Sequence, residues 1–461
     1  MSGNRSLVRQ ICEHVYMLSV CVFLLWDVAY MTEGSFTAVS AYFPAVWYGL
    51  AAAALVMCRG RLGPVWLLMA LLLWMTASSA YRGTQVLEAE QQALANGVLA
   101  FLVICPAPRV IAPRRLEGYL RTLLALWTAA FTLQAAIGLW AALTGHAVFS
   151  LKGTWYIGVN MGDNRLYLMA YVTTSAVKLG LSVLLAALGA VMHRRAGRVM
   201  YILCALVQLV CLSLTDCRTA FIAVGAALGA MALIALVRRG KGKVRPCLML
   251  RWACGLLAVL VLTVGMYVGL TRTLTALSPH VDHELNNLTI LELPAELLPA
   301  ASAEDTGAVR HRALEAGNLL NDRTLIWKAA LRLLVFSPKY LVTGTTTALS
   351  PILMNAYLLE IVERPFNHAH NIYLQTLVSW GIPGFALLAA FLVIFLRAAW
   401  RVAFVHAVPS WQRFVPVPVL YVMLCEMVDC FTLLSAATPM LLLGCFFAGL
   451  TLAIDAREVR R

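Results

Sequence analysis

The chain has 461 residues, of which 61% are hydrophobic and 13% charged, with a mean hydropathy of +0.80, whereas soluble chains carry about 25% charge. An ordinary soluble enzyme is excluded, as are a disordered and a collagen-like chain, which need polar, Pro-rich or strictly Gly-periodic composition. The net charge of +14 would suit nucleic acid, but the placement of the cations follows membrane topology instead.

Apolar runs of about 20 residues recur along the whole length. They predict spans at 13–31, 43–58, 63–80, 95–112, 119–143, 167–191, 199–215, 219–237, 248–270, 373–396, 414–434 and 437–454. The expected fold is thus an all-α polytopic membrane protein of about twelve transmembrane helices. The first run carries Asp27 and lacks a small-residue cleavage site, so it reads as a span rather than a cleaved leader. Lys and Arg gather in alternate connections: RGR at 59–61, PRRLEG at 113–118, HRRAGR at 193–198 and RRGKGKVR at 238–245. The positive-inside rule assigns these connections and both termini to the cytoplasm of a cell-envelope membrane. Three regions follow: spans one to nine over 1–270, a large external loop over 271–372, and spans ten to twelve with a cytoplasmic tail over 373–461.

Within the spans, Lys178 and Glu426 both fall near the midplane, where charge is costly enough to suggest a site. They read as a pair, either functional or simply an ion pair that fixes helix packing. Asp429, one turn outward of Glu426, is placed to orient an external Arg or His. The twelve cysteines lie in or beside the spans, without a CxxC pair, and read as small packing residues.

The external loop is the one long connection, and loops of that size are usually functional. It carries eight Lys/Arg and ten Asp/Glu, yet Arg310, Arg312, Arg323, Lys328, Arg332, Lys339 and Arg364 all fall in its C-terminal part. Its first half is irregular in pattern. In its second half Asn321 and Asp322 are good N-caps, and RTLIWKAALRLLVF sets Ile326, Ala329, Ala330, Leu333 and Leu334 on one stripe. This predicts an amphipathic helix lying on the membrane surface or capping the bundle. The basic residues suit a diphosphate or an anionic headgroup, and equally suit cations snorkelling to phospholipid.

At the loop's end stands NHAHNIYLQTLVSWGIPG, 367–384, in which His370-Asn371 precedes Gly381-x-x-Gly384 and enters a span directly. This spacing resembles the signature of the O-antigen ligase and O-antigen polymerase superfamily. LTDCRTAFIAV, with Arg218 in a tight turn between spans, is similar to that family's Ser-Arg turn, with Asp216-Cys217 in place of the Ser. DRTLIWKAAL resembles its loop helix, with Arg323 and Trp327 on one face. KGTWYIGVNMGDNRLYLMAYVTTS is a looser counterpart of the segment leading into the sixth span and offers Asn160, Asn164 and Arg165. GTTTALS at 344–350 lacks the family's usual second Gly, and Ser379-Trp380 replaces its polar pair.

The resemblance implies an inverting, metal-independent glycosyltransferase without cofactor. It would move a glycan from undecaprenyl diphosphate to a glycan, lipid or protein acceptor on the outer face of the membrane. Such a donor has a good leaving group, so the chemistry needs a base for the acceptor hydroxyl and cations for the departing diphosphate. His370 is the candidate base, with Arg218 and Arg323 as the diphosphate clamp. His368, Asn371, Arg165, Trp327 and Arg364 would bind substrate, and Gly381 and Gly384 would be structural. Other readings stay open. His370 would also serve as a helix-capping histidine, and a rival reading joins His368 and His370 with His280, His283 or His311 around zinc, a weak spacing for it. Arg218 would equally reach a headgroup. A transporter or flippase of lipid-linked sugars also needs twelve spans and buried charge, but it would place its site at the midplane and show repeated halves. No repeat is visible.

Overall fold

The computed structural model describes residues 2–25, 43–58, 62–144, 148–149, 156–160, 165–168, 172–239, 323–358, 368–430, 432, 434 and 438–460. The expected ninth span, Asp27, Asn164, the loop up to Asn321 and Asp322 with its histidines, and Arg364 lie outside the described residues. The chain divides into two compact units, one of residues 1–27, 36–123 and 318–461, the other of 28–35 and 124–317.

The first unit contains α1 (Ser2–Leu24), α2 (Phe43–Met57), α3 (Val65–Arg82), α4 (Thr84–Gly97) and the start of α5 (Pro113–Thr144). The second takes up α5 and continues through β1 (Val148–Phe149), β2 (Tyr156–Asn160), β3 (Arg165–Leu168), α6 (Val172–Met192), α7 (Ala196–Leu214) and α8 (Arg218–Arg239). The first unit resumes with α9 (Arg323–Phe336), α10 (Lys339–Thr343), α11 (Ser350–Leu358), α12 (Ile372–Trp400), α13 (Val417–Cys425) and α14 (Pro439–Glu458). Among the described residues nine helices are long and apolar enough to cross a membrane, and Pro44–Met57 is a shorter apolar helix.

Four expectations need correction. The external connection after α3 is helical: TQVLEAEQQALANG is rich in Leu, Ala, Glu and Gln, all good helix formers, and α4 runs into a π-helical stretch, Val98–Ile104. The segment before the sixth span forms a small antiparallel sheet in which Ile157 pairs with Leu168 and Asn160 with Arg165. Its alternating burial in RLYL is the two-residue period of a strand, so the span begins at Val172 and not at 167.

The expected eleventh span, 414–434, is helical only over α13. Past Cys425 the backbone finds partners outside the helix ladder. The Glu426 carbonyl accepts from Ile372 N at 3.0 Å, the Met427 carbonyl from Asn371 Nδ2 at 2.9 Å, and Cys430 N donates to the Asp429 carboxylate at 2.8 Å. Each bond uses a group that the next helical turn would need.

The expected tenth span is found within Ile372–Val405, but it is broken by a kink near its start. Gly381 sits at φ 66°, ψ −172° inside α12, and Pro383 has no N–H to offer. The carbonyls of Val378 and Ser379, which continuous helix would pair four residues on, instead accept from Thr345 N and Thr346 N, each at 2.8 Å. Trp74 Nε1 donates to the Trp380 carbonyl at 2.7 Å. A Cβ on Gly381 would collide with the Val342 carbonyl, and one on Gly384 with the Trp380 side chain. Both glycines are therefore required by packing, and Gly381 also by its backbone angle.

The stripe on α9 is buried as its spacing predicts. Ile326, Ala329, Ala330, Leu333 and Leu334 form a core with Met354, Ala369 and Val378. The helix thus caps the first half of α12, and its first residue, Arg323, lies where α12 begins.

Candidate active site

His370 stands just ahead of α12 at φ 49°, a left-handed conformation that a non-glycine residue keeps only where its surroundings impose it. Those surroundings are specific. Asn371 caps α12 by accepting from Leu374 N at 3.0 Å, and its amide also holds the Met427 carbonyl. Gln375, one turn later and buried, accepts from Ala369 N at 2.8 Å while its amide donates to Ser350 Oγ and Ser379 Oγ, both at 2.8 Å. The segment carrying both histidines is tied at each end.

The turn after α13 brings Asp429 to this segment. Asp429 Oδ1 lies 3.0 Å from His370 Nδ1 and accepts from Cys430 N, and Oδ2 lies 3.8 Å from Arg323 Nη2. Burial alone would raise the Asp429 carboxyl. The hydrogen bonds from His370 and from Cys430 N, with the pull of the two neighbouring imidazoles, outweigh it and hold the carboxyl below its usual range. Ionised, it can only accept. In the neutral form of His370 the proton therefore sits on Nδ1 and the lone pair on Nε2.

His368 differs from its neighbour. Its ring centroid is 4.2 Å from that of His370 and its Nδ1 accepts from His370 N at 3.3 Å. Burial, reinforced by the charges of His370 and Arg323 and opposed by Asp429, pushes its pKa down to about 4. It is neutral at physiological pH. His368, His370 and Asp429 offer ligand atoms within 4.8 Å of one another, one face of a metal's coordination sphere. Two features compete with a cation there: Asp429 is already engaged by His370, and the Arg323 guanidinium stands beside the same carboxylate.

Arg323 and Trp327 share a face of α9, and two of their N–H groups, Arg323 Nε and Trp327 Nε1, are buried without an acceptor among the described residues. Buried unpaired donors are uncommon. They mark this corner as one where a ligand oxygen would be accepted.

Beneath the histidines, from Ile372 and Tyr373 inward, opens a cavity of about 150 Å³ among α3, α12, α13 and α14. Its walls are mainly apolar, including Leu68, Leu388, Phe391 and Val422, with Glu426 near its polar end.

In the second unit Arg165, on β3, donates from Nε to the Thr215 carbonyl at 2.8 Å and from Nη2 to the Asp216 carbonyl at 3.1 Å. Asp216 has φ 46°, and Arg218 is the first residue of α8. Arg165 thus fixes the turn that presents Arg218. Lys178, half-buried, lies on α6.

The structure brings His370, His368 and Arg323 together with Asp429, and it gives Asn371 and Arg165 scaffold tasks where substrate contact was expected. Sequence reading overlooked Gln375. Its signal was the i, i+4, i+8 polar series Asn371, Gln375, Ser379 in an otherwise apolar helix.

Residues 203–389 match the family model described as O-antigen ligase. This stretch contains Arg218, Arg323, His370 and both motif glycines. No curated protein matches the chain.

Proposed function

We propose that the chain, whose residues 203–389 match the O-antigen ligase family, transfers a glycan from undecaprenyl diphosphate to an acceptor hydroxyl, at the outer face of the membrane and without metal. The observation that carries this reading is His370 held through Nδ1 by an ionised carboxylate, an arrangement that leaves Nε2 to act as the base.

In the proposed step the acceptor oxygen bonds to the anomeric carbon as the bond from that carbon to the diphosphate oxygen breaks. The acceptor proton passes to His370 Nε2, and the electron pair departs on the diphosphate. Attack opposite the leaving group inverts the anomeric centre. Arg323 offers its guanidinium, and Trp327 its indole N–H, to the diphosphate oxygens, which would answer the two unpaired donors. Arg218 is proposed as a further cation for the same donor; support for it is the turn held by Arg165 and the resemblance of that turn to the family's. The apolar cavity below Ile372 suits the lipid part of a substrate.

The test is transfer from a purified undecaprenyl-diphosphate glycan by the full-length protein in vesicles. His370→Ala should leave a folded protein with turnover lower by about a hundredfold or more. Near-normal turnover would discard the mechanism.

A further inference from the structure

At the other end of α12 from His370 the helix surface carries a second constellation that the transfer chemistry does not use. Val393, Leu396, Arg397, Trp400 and Arg401 line one shallow, open hollow of about 480 Å³, inside the range of about 300 to 1000 Å³ common for ligand sites. Their spacing puts them on one helical face. The chemistry along that face is sorted. Val393 and Leu396, 48% and 42% exposed, come first. Two guanidiniums one turn apart follow, with Trp400, 63% exposed, between them.

A long cation at a membrane boundary ordinarily snorkels without fixed geometry. Arg401 does not. It forks onto Asp455 of α14, Nε to Oδ1 at 2.7 Å and Nη2 to Oδ2 at 2.6 Å, and Asp455 Oδ1 also meets His406 Nε2 at 2.8 Å. The backbone leaves α-helical geometry here for a π-helical turn, Arg401–Val405, closed by His406 N on the Arg401 carbonyl at 2.8 Å. Such turns frequently accompany functional sites. The two bonds to Asp455 use two of the five donors of Arg401, and Arg397 adds a second cation to the hollow. Against the single Asp455 carboxylate, the two guanidiniums leave one positive charge.

We propose that this hollow binds one anionic phospholipid, with its phosphate between Arg397 and Arg401 and an acyl chain along Val393 and Leu396. Arg matches phosphate through its planar donors, Trp favours the membrane interface, and the cation distribution assigns this end of α12 to the cytoplasmic side, where basic pockets meet anionic lipid. The proposal is independent of the transfer reaction.

The experiment adds phosphatidylglycerol, cardiolipin or phosphatidylethanolamine to the delipidated full-length protein in detergent. Retained lipid is counted by native mass spectrometry, and the unfolding temperature is read in parallel. One anionic lipid should be retained saturably and should raise that temperature, whereas phosphatidylethanolamine should do neither. Arg397→Ala should weaken retention about tenfold, as expected for one lost charge-assisted hydrogen bond, and Arg397→Lys should recover part of it. Leu396→Trp should block retention with both cations intact. Because removing Arg401 strips Asp455 of its partner and endangers folding, Arg397 and Leu396 carry the test. Equal retention of phosphatidylethanolamine, or anionic retention unchanged in both Arg397→Ala and Leu396→Trp, would overturn the proposal.

Discussion

Each end of α12 has a histidine, an aspartate and an arginine in contact, and the two sets differ in how the contacts are made. At the C-terminal set Arg401 meets Asp455 with a two-bonded fork, and His406 is held by Nε2. At the N-terminal set Arg323 stays 3.8 Å from Asp429 with an Nε unpaired among the described residues, and His370 is held by Nδ1. The first arrangement neutralises Asp455 and fastens π-helical backbone to α14. The second leaves a guanidinium that does not fork onto its carboxylate and a ring held at the other nitrogen. Residue types alone do not separate a structural cluster from one proposed to react; which nitrogen is held, and whether the guanidinium forks onto the carboxylate, does.

The sharpest way to break this comparison is to remove each histidine. His370→Ala should cost transfer about 10² to 10⁴-fold, whereas His406→Ala should leave turnover within about threefold and instead lower the unfolding temperature. Equal loss of turnover in the two variants, at equal amounts of folded protein, would erase the distinction.

Removing the carboxylates comes next. Asp429→Asn should lower turnover at least about tenfold without loss of folded protein, because an amide no longer imposes the Nδ1–H tautomer. Asp455→Asn should act the other way round, on stability, by about 1 to 3 kcal/mol, since Arg401 keeps partial access to solvent. Steady-state kinetics and thermal denaturation of both proteins separate these outcomes.

Arg323→Ala should weaken use of the donor by about 10 to 100-fold in kcat/KM, the scale of one charge-assisted contact. Donor titrations that show unchanged kcat/KM would remove Arg323 from the clamp.

The smallest effect concerns pH. His368 stays neutral down to about pH 4 when folded, whereas an unfolded histidine takes its proton near 6.5. Between these values the unfolded chain binds more protons, so this contribution to stability is complete above about pH 6.5 and is lost as pH falls toward 4. His368→Asn should flatten that part of the curve of unfolding temperature against pH. An unaltered slope would show that His368 is not shielded.

Much of this was legible in the sequence wherever one local period or spacing decided the outcome. The buried stripe of α9 follows from 3.6-residue spacing, and His370 and Gly381 from a short motif. The turn at 426–430 was not legible, because its apolar surroundings read as continuous helix while its bonds go to residues about 55 positions away. The role of Asp429 was visible only as a charge in an apolar run. Likewise Glu90 looks like a surface residue of an exposed loop, yet it is 1% exposed and accepts from Ala348 N. Long-range pairing of backbone groups leaves no periodic trace. The sheet at 148–168 was missed for the opposite reason: its strands are short enough that the neighbouring apolar span dominates any window laid over them.

The stitched break in α12 bears on biogenesis. A continuous span enters lipid with its peptide groups already paired, and each unpaired group there costs several kcal/mol. In α12 the partners of two carbonyls, the amides of Thr345 and Thr346, lie more than 30 residues earlier in the chain. The outer half of α12 therefore cannot partition into the bilayer as a self-sufficient segment. It must settle together with the segment just past α10 that carries Thr345 and Thr346, which makes the connection before α12 a partner in inserting the membrane span that follows.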